Sequence, residues 1–182
     1  MSPEAYQPDP LSLYDNTNLA WHLMMARRYD EALRQARTTL DLDPNFARAR
    51  MWLAFVYEQK RQYQEAIAQL QEGAVSRQDH ATATAMLAHV YAMAGKRGEA
   101  ARILRELQDR SKREYVSSYD TAVIFAALGQ ANEAFRCLED AYRQRDGWLA
   151  LWLTVDPRLD GLRPDPRFGQ LVGRLGIDQG TF

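Results

Sequence analysis

Small and apolar residues recur at helical spacing through residues 81–114, which read ATATAMLAHVYAMAGKRGEAARILRELQDRSKRE. Ala85, Leu87, Ala88 and Tyr91 fall at one helical spacing; Gly95 interrupts it, with Lys96 in the turn. Ala100, Ile103, Leu104 and Leu107 form a second stripe. The pattern predicts two amphipathic helices joined by a tight turn. Ala88 and Ala100 are small where a core would otherwise favour bulk, as two helix backbones in close antiparallel contact require. One hairpin of this size cannot bury both its faces, so it is stable only in a stack.

A shift of 34 residues superimposes the pattern on the rest of the chain. Ala88 falls on Ala20, Ala54 and Ala122, and Ala100 on Ala32, Ala66 and Ala134. Tyr91 falls on Leu23, Tyr57 and Phe125, and Glu99 on Glu31, Glu65 and Glu133. Gly95 falls on Gly129, but on Arg27 and Arg61 in the earlier copies. Four units follow without insertion, at 13–46, 47–80, 81–114 and 115–146. Their expected helices are Asn16–Arg27 and Asp30–Leu42, Pro44–Lys60 and Tyr63–Ser76, His80–Ala94 and Arg97–Arg110, and Tyr115–Leu128 and Ala131–Gln144.

The period, the pattern Leu-Ala-x-x-Tyr, then Tyr-x-Glu-Ala, then Asp-Pro, together resemble the tetratricopeptide repeat. YDEAL at Tyr29–Leu33 and YQEAI at Tyr63–Ile67 stand close to that family's consensus. The resemblance covers Leu13–Asp146 and implies an all-α fold: a right-handed α-solenoid of four stacked helix-turn-helix hairpins. Asn16 departs from it where a large apolar residue is usual, and only Pro44 keeps the repeat-ending proline.

Residues 1–12 read as a tail. Asp9-Pro10 lies 34 residues before Asp43-Pro44. It is expected to be the end of an upstream repeat, and the chain a fragment of a longer protein. At the other end, residues 147–182 read as a capping segment. Trp148, Leu149, Leu151, Trp152 and Leu153 make a dense apolar run, followed by Asp156-Pro157-Arg158 and Asp165-Pro166-Arg167. Aspartate before proline is a helix-start signal, which predicts helices over Pro157–Leu162 and Pro166–Leu175, the second ended by Gly176. A solenoid must cover its last apolar face, so Trp148, Trp152, Phe168 and Leu171 are expected to pack inward. Residues 115–176 also resemble the C-terminal end of tetratricopeptide regions in bacterial multi-domain signalling proteins with winged-helix, serine/threonine kinase or cyclase domains. That resemblance implies a sensory or docking region.

The chemistry is sparse. Net charge is −1, so long-range attraction to nucleic acid or anionic lipid is not expected. No apolar run approaches the ~18 residues a bilayer-spanning helix needs, and MSPEAYQPDP is not a signal peptide; a cytoplasmic location is expected. Cys137, the one cysteine, reads as a packed thiol. His22, His80 and His89 lack partners at metal-ligand spacing. The recurring glutamates sit in first turns, where negative charge suits the helix dipole. No catalytic arrangement, cofactor motif or metal site is readable, and an enzyme is not expected.

The resemblance implies that first helices line a concave groove. The repeat register places Tyr14, Thr17, Trp21 and Met24 there in the first unit, and Arg48, Met51, Phe55 and Gln59 in the second. Thr82, Ala85, His89 and Met93 follow in the third, with Tyr119, Val123 and Ala126 in the fourth. The expected partner-binding residues are Tyr14, Trp21, Met24, Arg48, Met51, Phe55, Gln59, His89, Met93 and Tyr119. Large aromatics in such a groove either anchor a partner or pack neighbouring helices, and the pattern leaves both open. Three functions are weighed: a protein- or peptide-binding scaffold, self-assembly through the uncovered first repeat at Leu19 and Leu23, and RNA binding. The scarcity of basic groove residues argues against the last.

Overall fold

The computed structural model describes residues 9, 11–72 and 80–176. Among these the regular elements are all helical, as expected. The chain divides into two compact units, Met1–Ser76 and Arg77–Phe182.

The first unit holds α1 (Leu13–Met25), α2 (Tyr29–Leu42), α3 (Ala47–Gln59) and α4 (Tyr63–Glu72). Helices α1 and α2 form one hairpin and α3 and α4 the next; α3 packs on both α2 and α1. The second unit holds α5 (His80–Met93), α6 (Arg97–Arg110), α7 (Ser118–Ala127), α8 (Ala131–Arg143), α9 (Gly147–Trp152), a 3₁₀ helix (Pro157–Leu162) and α10 (Pro166–Arg174). Its two hairpins stack in the same way, α7 packing on α5 and α6.

The period-34 alanines are buried within the hairpins. Ala20, Ala32, Ala54, Ala66, Ala88, Ala100, Ala122 and Ala134 are each at most 1% exposed. A methyl group at these positions lets paired backbones approach, and the larger residues around them close the core. In the first unit Leu33, Leu40 and Tyr57 pack on Ala20, Ala36 and Leu53. Asn16, the residue out of pattern, is buried with its polar atoms engaged. Its Oδ1 accepts from Gln35 of α2, and its Nδ2 donates to the Ser12 carbonyl at 2.9 Å.

Four first helices end identically. Arg27, Arg61, Gly95 and Gly129 have φ of 60°, 60°, 77° and 72°. The next amides, of Arg28, Gln62, Lys96 and Gln130, donate to carbonyls five residues back, at Leu23, Tyr57, Tyr91 and Phe125, over 2.8–2.9 Å. This is the Schellman termination, which needs a left-handed residue. Glycine adopts that conformation freely, whereas arginine does so at a steric cost.

Helix starts differ from expectation where a cap decides them. α3 begins at Ala47, because Asp43 Oδ1 accepts the Asn45 amide at 2.9 Å and turns the chain at Pro44. α7 begins at Ser118, because Ser117 Oγ accepts the Asp120 amide at 3.1 Å. The expected end of the second helix of repeat 2, residues 73–76, lies outside the described residues, as do residues 1–8 and 10 of the tail.

The capping segment is a broken copy of a hairpin. Helix α9 packs on α8 and the 3₁₀ helix on α7, as a following first helix would. Proline at 157 cannot continue α9, so Asp156 caps a new turn instead. Helix α10 then lies along α8. Arg167 sits 4.2 Å over the Phe135 ring and bonds Asn132; Arg174 sits 4.2 Å over the Tyr142 ring and pairs with Glu139 at 2.8 Å. Both partnerships repeat after seven residues on both helices, so the two helices run parallel. Phe168 and Leu171 face inward as expected. Trp148 does not: it is exposed, and Trp152 is half-buried. Leu149 and Leu153, one turn apart, take the inward stripe of this short helix, which leaves the tryptophans on the neighbouring stripe, stacked on each other at 6.5 Å.

The repeated turn makes a direct comparison of backbone cost possible. Arg61→Gly should stabilise by up to ~1 kcal/mol by relieving the left-handed arginine. Gly129→Ala should destabilise by ~1–2 kcal/mol, although an added Cβ would meet no atom within 4 Å. Urea midpoints moving in opposite directions check this; parallel shifts would contradict it.

Candidate partner-binding surface

In the first unit, α1 and α3 present equivalent positions side by side. Tyr14 and Trp21 are two turns apart on α1; Arg48 and Phe55 are two turns apart on α3. At one end, the Tyr14 ring meets Phe46 edge-on, with centroids 5.6 Å apart, and the Arg48 guanidinium lies 5.9 Å from the Tyr14 centroid. Tyr14 is 62% exposed. Further along, Trp21 lies 4.2 Å from Trp52 and 5.9 Å from Phe55. Trp21 and Trp52 are buried and Phe55 is wholly so.

The ten residues expected to bind a partner therefore separate. Tyr14 and Met93 are exposed, and Arg48 and Gln59 half-buried. Trp21, Met24, Met51, Phe55, His89 and Tyr119 are buried. Met24 and Phe55 have no exposed surface at all. The reason is the packing of first helices on one another: α1 contacts α3 and α5 contacts α7, so a side chain aimed between them is covered. Tyr119 shows the effect in the second unit, where its hydroxyl donates to Asp156 Oδ2 at 2.7 Å, beneath the 3₁₀ helix.

That hydrogen bond belongs to a buried polar cluster that the repeat pattern did not reveal. Arg158 is clamped on Asp156, its Nη2 2.7 Å from Oδ2 and its Nε 3.1 Å from both oxygens. The Arg158 amide also donates to Asp156 Oδ1 at 2.9 Å. Burial alone would raise the Asp156 carboxyl, but the Arg158 charge and these hydrogen bonds hold it below the usual range. Asp120 is buried alongside, accepting from Thr82 Oγ1 at 3.1 Å. Burial dominates there and pushes its carboxyl up to about 6, against the pull of Arg158. Asp146 accepts from Ser117 Oγ at 2.7 Å and Tyr115 Oη at 3.2 Å, and caps α9. Burial and the Asp146 charge push the Tyr115 hydroxyl up to about 12. The sequence signal was present in the first Asp-Pro-Arg, but its twin is exposed, and nothing local distinguishes the two.

The described surface also has hollows. One, of about 340 Å³ on the first unit, is lined by Leu19, Leu23, Arg28, Glu31 and neighbours. Another, of about 400 Å³ in the second unit, lies among Tyr142, Arg143, Arg145, Leu149 and Leu175. Cys137 is half-buried, and burial pushes its thiol up to about 11, so it is protonated at neutral pH. Among the described residues no three His, Cys, Asp or Glu side chains are grouped to hold a metal ion. None of the described helices is long and apolar enough to cross a membrane.

Residues 23–90 match the tetratricopeptide repeat family. The matched segment runs from the end of α1 into α5. Among solved structures, the chain is similar to YrrB, described as a TPR protein with an unusual peptide-binding site. The two share 16% identity with a TM-score of 0.49, over 92% of this chain and 86% of that one. No curated protein matches.

The burial of Trp21 and Phe55 decides what their loss should do. Truncating a buried aromatic costs ~3–5 kcal/mol. The double variant Trp21→Ser, Phe55→Ser should therefore lower the thermal midpoint steeply in a circular dichroism melt. A midpoint equal to the parent's would mean that these rings serve a surface.

Proposed function

We propose that this chain is a protein- or peptide-docking scaffold, and that it forms the docking or sensory region of a larger bacterial signalling or transcription-regulatory protein. The observation that carries the docking reading is the solvent-facing end of the α1–α3 face: Tyr14 exposed, Phe46 beside it, Arg48 over the ring. An aromatic plane beside a guanidinium suits an apolar side chain next to a carboxylate. Behind it, the Trp21–Trp52–Phe55 stack holds α1 and α3 in place, so the groove residues divide into a rigid floor and an open anchor. The regulatory context rests on the resemblance of residues 115–176 to the ends of such regions in signalling proteins.

A displayed peptide library selected on the full chain tests the reading. Enriched peptides should pair acidic and apolar residues. Tyr14→Ala and Arg48→Glu should each weaken their capture tenfold or more, as anchor losses do. Tyr14→Ala should leave the thermal midpoint nearly unchanged, because the ring is exposed. Absence of any enriched peptide, or capture by both variants equal to the parent's, would remove the site.

A second reading, self-assembly, draws on the exposed Leu19 beside the first unit's hollow. Sedimentation equilibrium at high micromolar concentration separates the two: a strict monomer discards assembly, and a concentration-dependent dimer that Leu19→Lys abolishes supports it.

A further inference from the structure

Leucine stands at the same repeat position in α1 and in α3, 34 residues apart, and the two leucines differ in cover. Leu53 is 4% exposed and Leu19 is 37% exposed. Helix α2 makes the difference. Leu33, Ala36 and Leu40, on one stripe of α2, join Leu53 and Tyr57 of α3 in a single apolar cluster. Polar contacts fasten its edges: Arg37 Nη2 donates to the Tyr57 hydroxyl at 3.0 Å, and Lys60 pairs with Asp30 at 2.6 Å. Ala36, in the middle of the stripe, has no exposed surface; a small residue there lets the helices lie close.

The corresponding face of the first hairpin is open. Leu19 and Leu23, at the positions of Leu53 and Tyr57, line the hollow of about 340 Å³, with Gln35 and Thr38 of α2 beside them. The rim carries both signs, Arg28 paired with Glu31 at 2.6 Å and Arg34 close by, so charge selects no partner. Shape does, because this floor repeats the surface on which a helix is already seated one repeat later.

We propose that this face takes an amphipathic helix of another protein, whose contact stripe carries leucine, alanine and leucine at the spacing of Leu33, Ala36 and Leu40. That helix lies over Leu19 and Leu23 as α2 lies over Leu53 and Tyr57, with the small residue at the crossing and an aliphatic side chain on either side of it. A helix laid in a groove through such spaced anchors is a recurrent mode of recognition. A second copy of this chain has no second helix to offer. The residues that match Ala36 in the later repeats are Leu70, Leu104 and Leu138, and all four are buried. The surface is also separate from the Tyr14–Phe46–Arg48 end of the α1–α3 face, since it is formed by the α1–α2 hairpin alone.

Binding of a labelled peptide with the sequence of α2, residues 28–43, to the full chain tests the face by fluorescence anisotropy. An isolated helix of this length is marginal in water. The peptide therefore carries a lactam from Glu31 to the amine introduced by Gln35→Lys, on the side away from the stripe. Saturable binding is expected. Leu19→Lys in the chain should weaken it tenfold or more, with the thermal midpoint nearly unchanged because the position is open. Ala36→Arg in the peptide should abolish it. Tyr14→Ala and Arg48→Glu in the chain should leave it unchanged, which keeps this result separate from that of the docking reading. Failure to saturate, equal binding of the Ala36→Arg peptide, or loss with Tyr14→Ala in place of Leu19→Lys would each overturn the inference. A dimer of the full chain in sedimentation equilibrium that Leu19→Lys abolishes would assign the face to a second copy and overturn it as well.

Discussion

Two helix backbones can lie in close contact only where neither carries bulk at the crossing. Everything in this molecule depends on that contact, which recurs as one alanine pair per hairpin. Each pair fixes how near its helices come, and the separation sets the depth of the layer that surrounding leucines, methionines and aromatics must fill. A single charged side chain there would have to be buried or would force the helices apart, at several kcal/mol from a domain typically stable by ~5–15.

The turns and the cap show the same economy applied at the ends. A left-handed residue closes each first helix through the same pair of hydrogen bonds, whether glycine or arginine occupies the position. The earlier copies carry arginine, so the geometry is imposed by the hairpin and not by the residue. At the C-terminal end, Asp-Pro-Arg is used twice with different outcomes. Both copies cap a helix and pair aspartate with arginine. One is sealed against Tyr119; the other lies open, with its arginine stacked on Phe135. The motif supplies a helix start, and the packing partner decides whether it becomes a buried ion pair or a surface clasp.

The candidate binding surface follows from how first helices pack. Side chains that point between α1 and α3 become interior, and those at the ends of that face reach solvent. This separates the aromatic residues into a structural stack at Trp21, Trp52 and Phe55 and a solvent-exposed ring at Tyr14. It also explains why the second unit offers polar chemistry at the equivalent place: there the cap covers α7, and Tyr119 is turned into a support for it.

What the sequence determined by itself was periodic. The alanines, the turn positions, the hairpin boundaries of α2, α6 and α8, and the two helix starts at Asp-Pro are local or repeat-spaced features, legible because each is required once per unit. Asn16 could be seen as out of pattern, but not that Gln35 would satisfy it, since the two meet only across the hairpin. Which of the groove residues stay exposed was decided by tertiary structure. Burial depends on what the neighbouring helix places opposite, and Trp21 and Tyr14 lie on the same stripe of α1. The Asp120–Asp156–Arg158 cluster was also invisible, because its members come from separate elements and gain their character from shared burial. A carboxylate's neighbours along the chain set its helix-capping role; its charge state is set by the dielectric and the counter-ions that folding gathers around it.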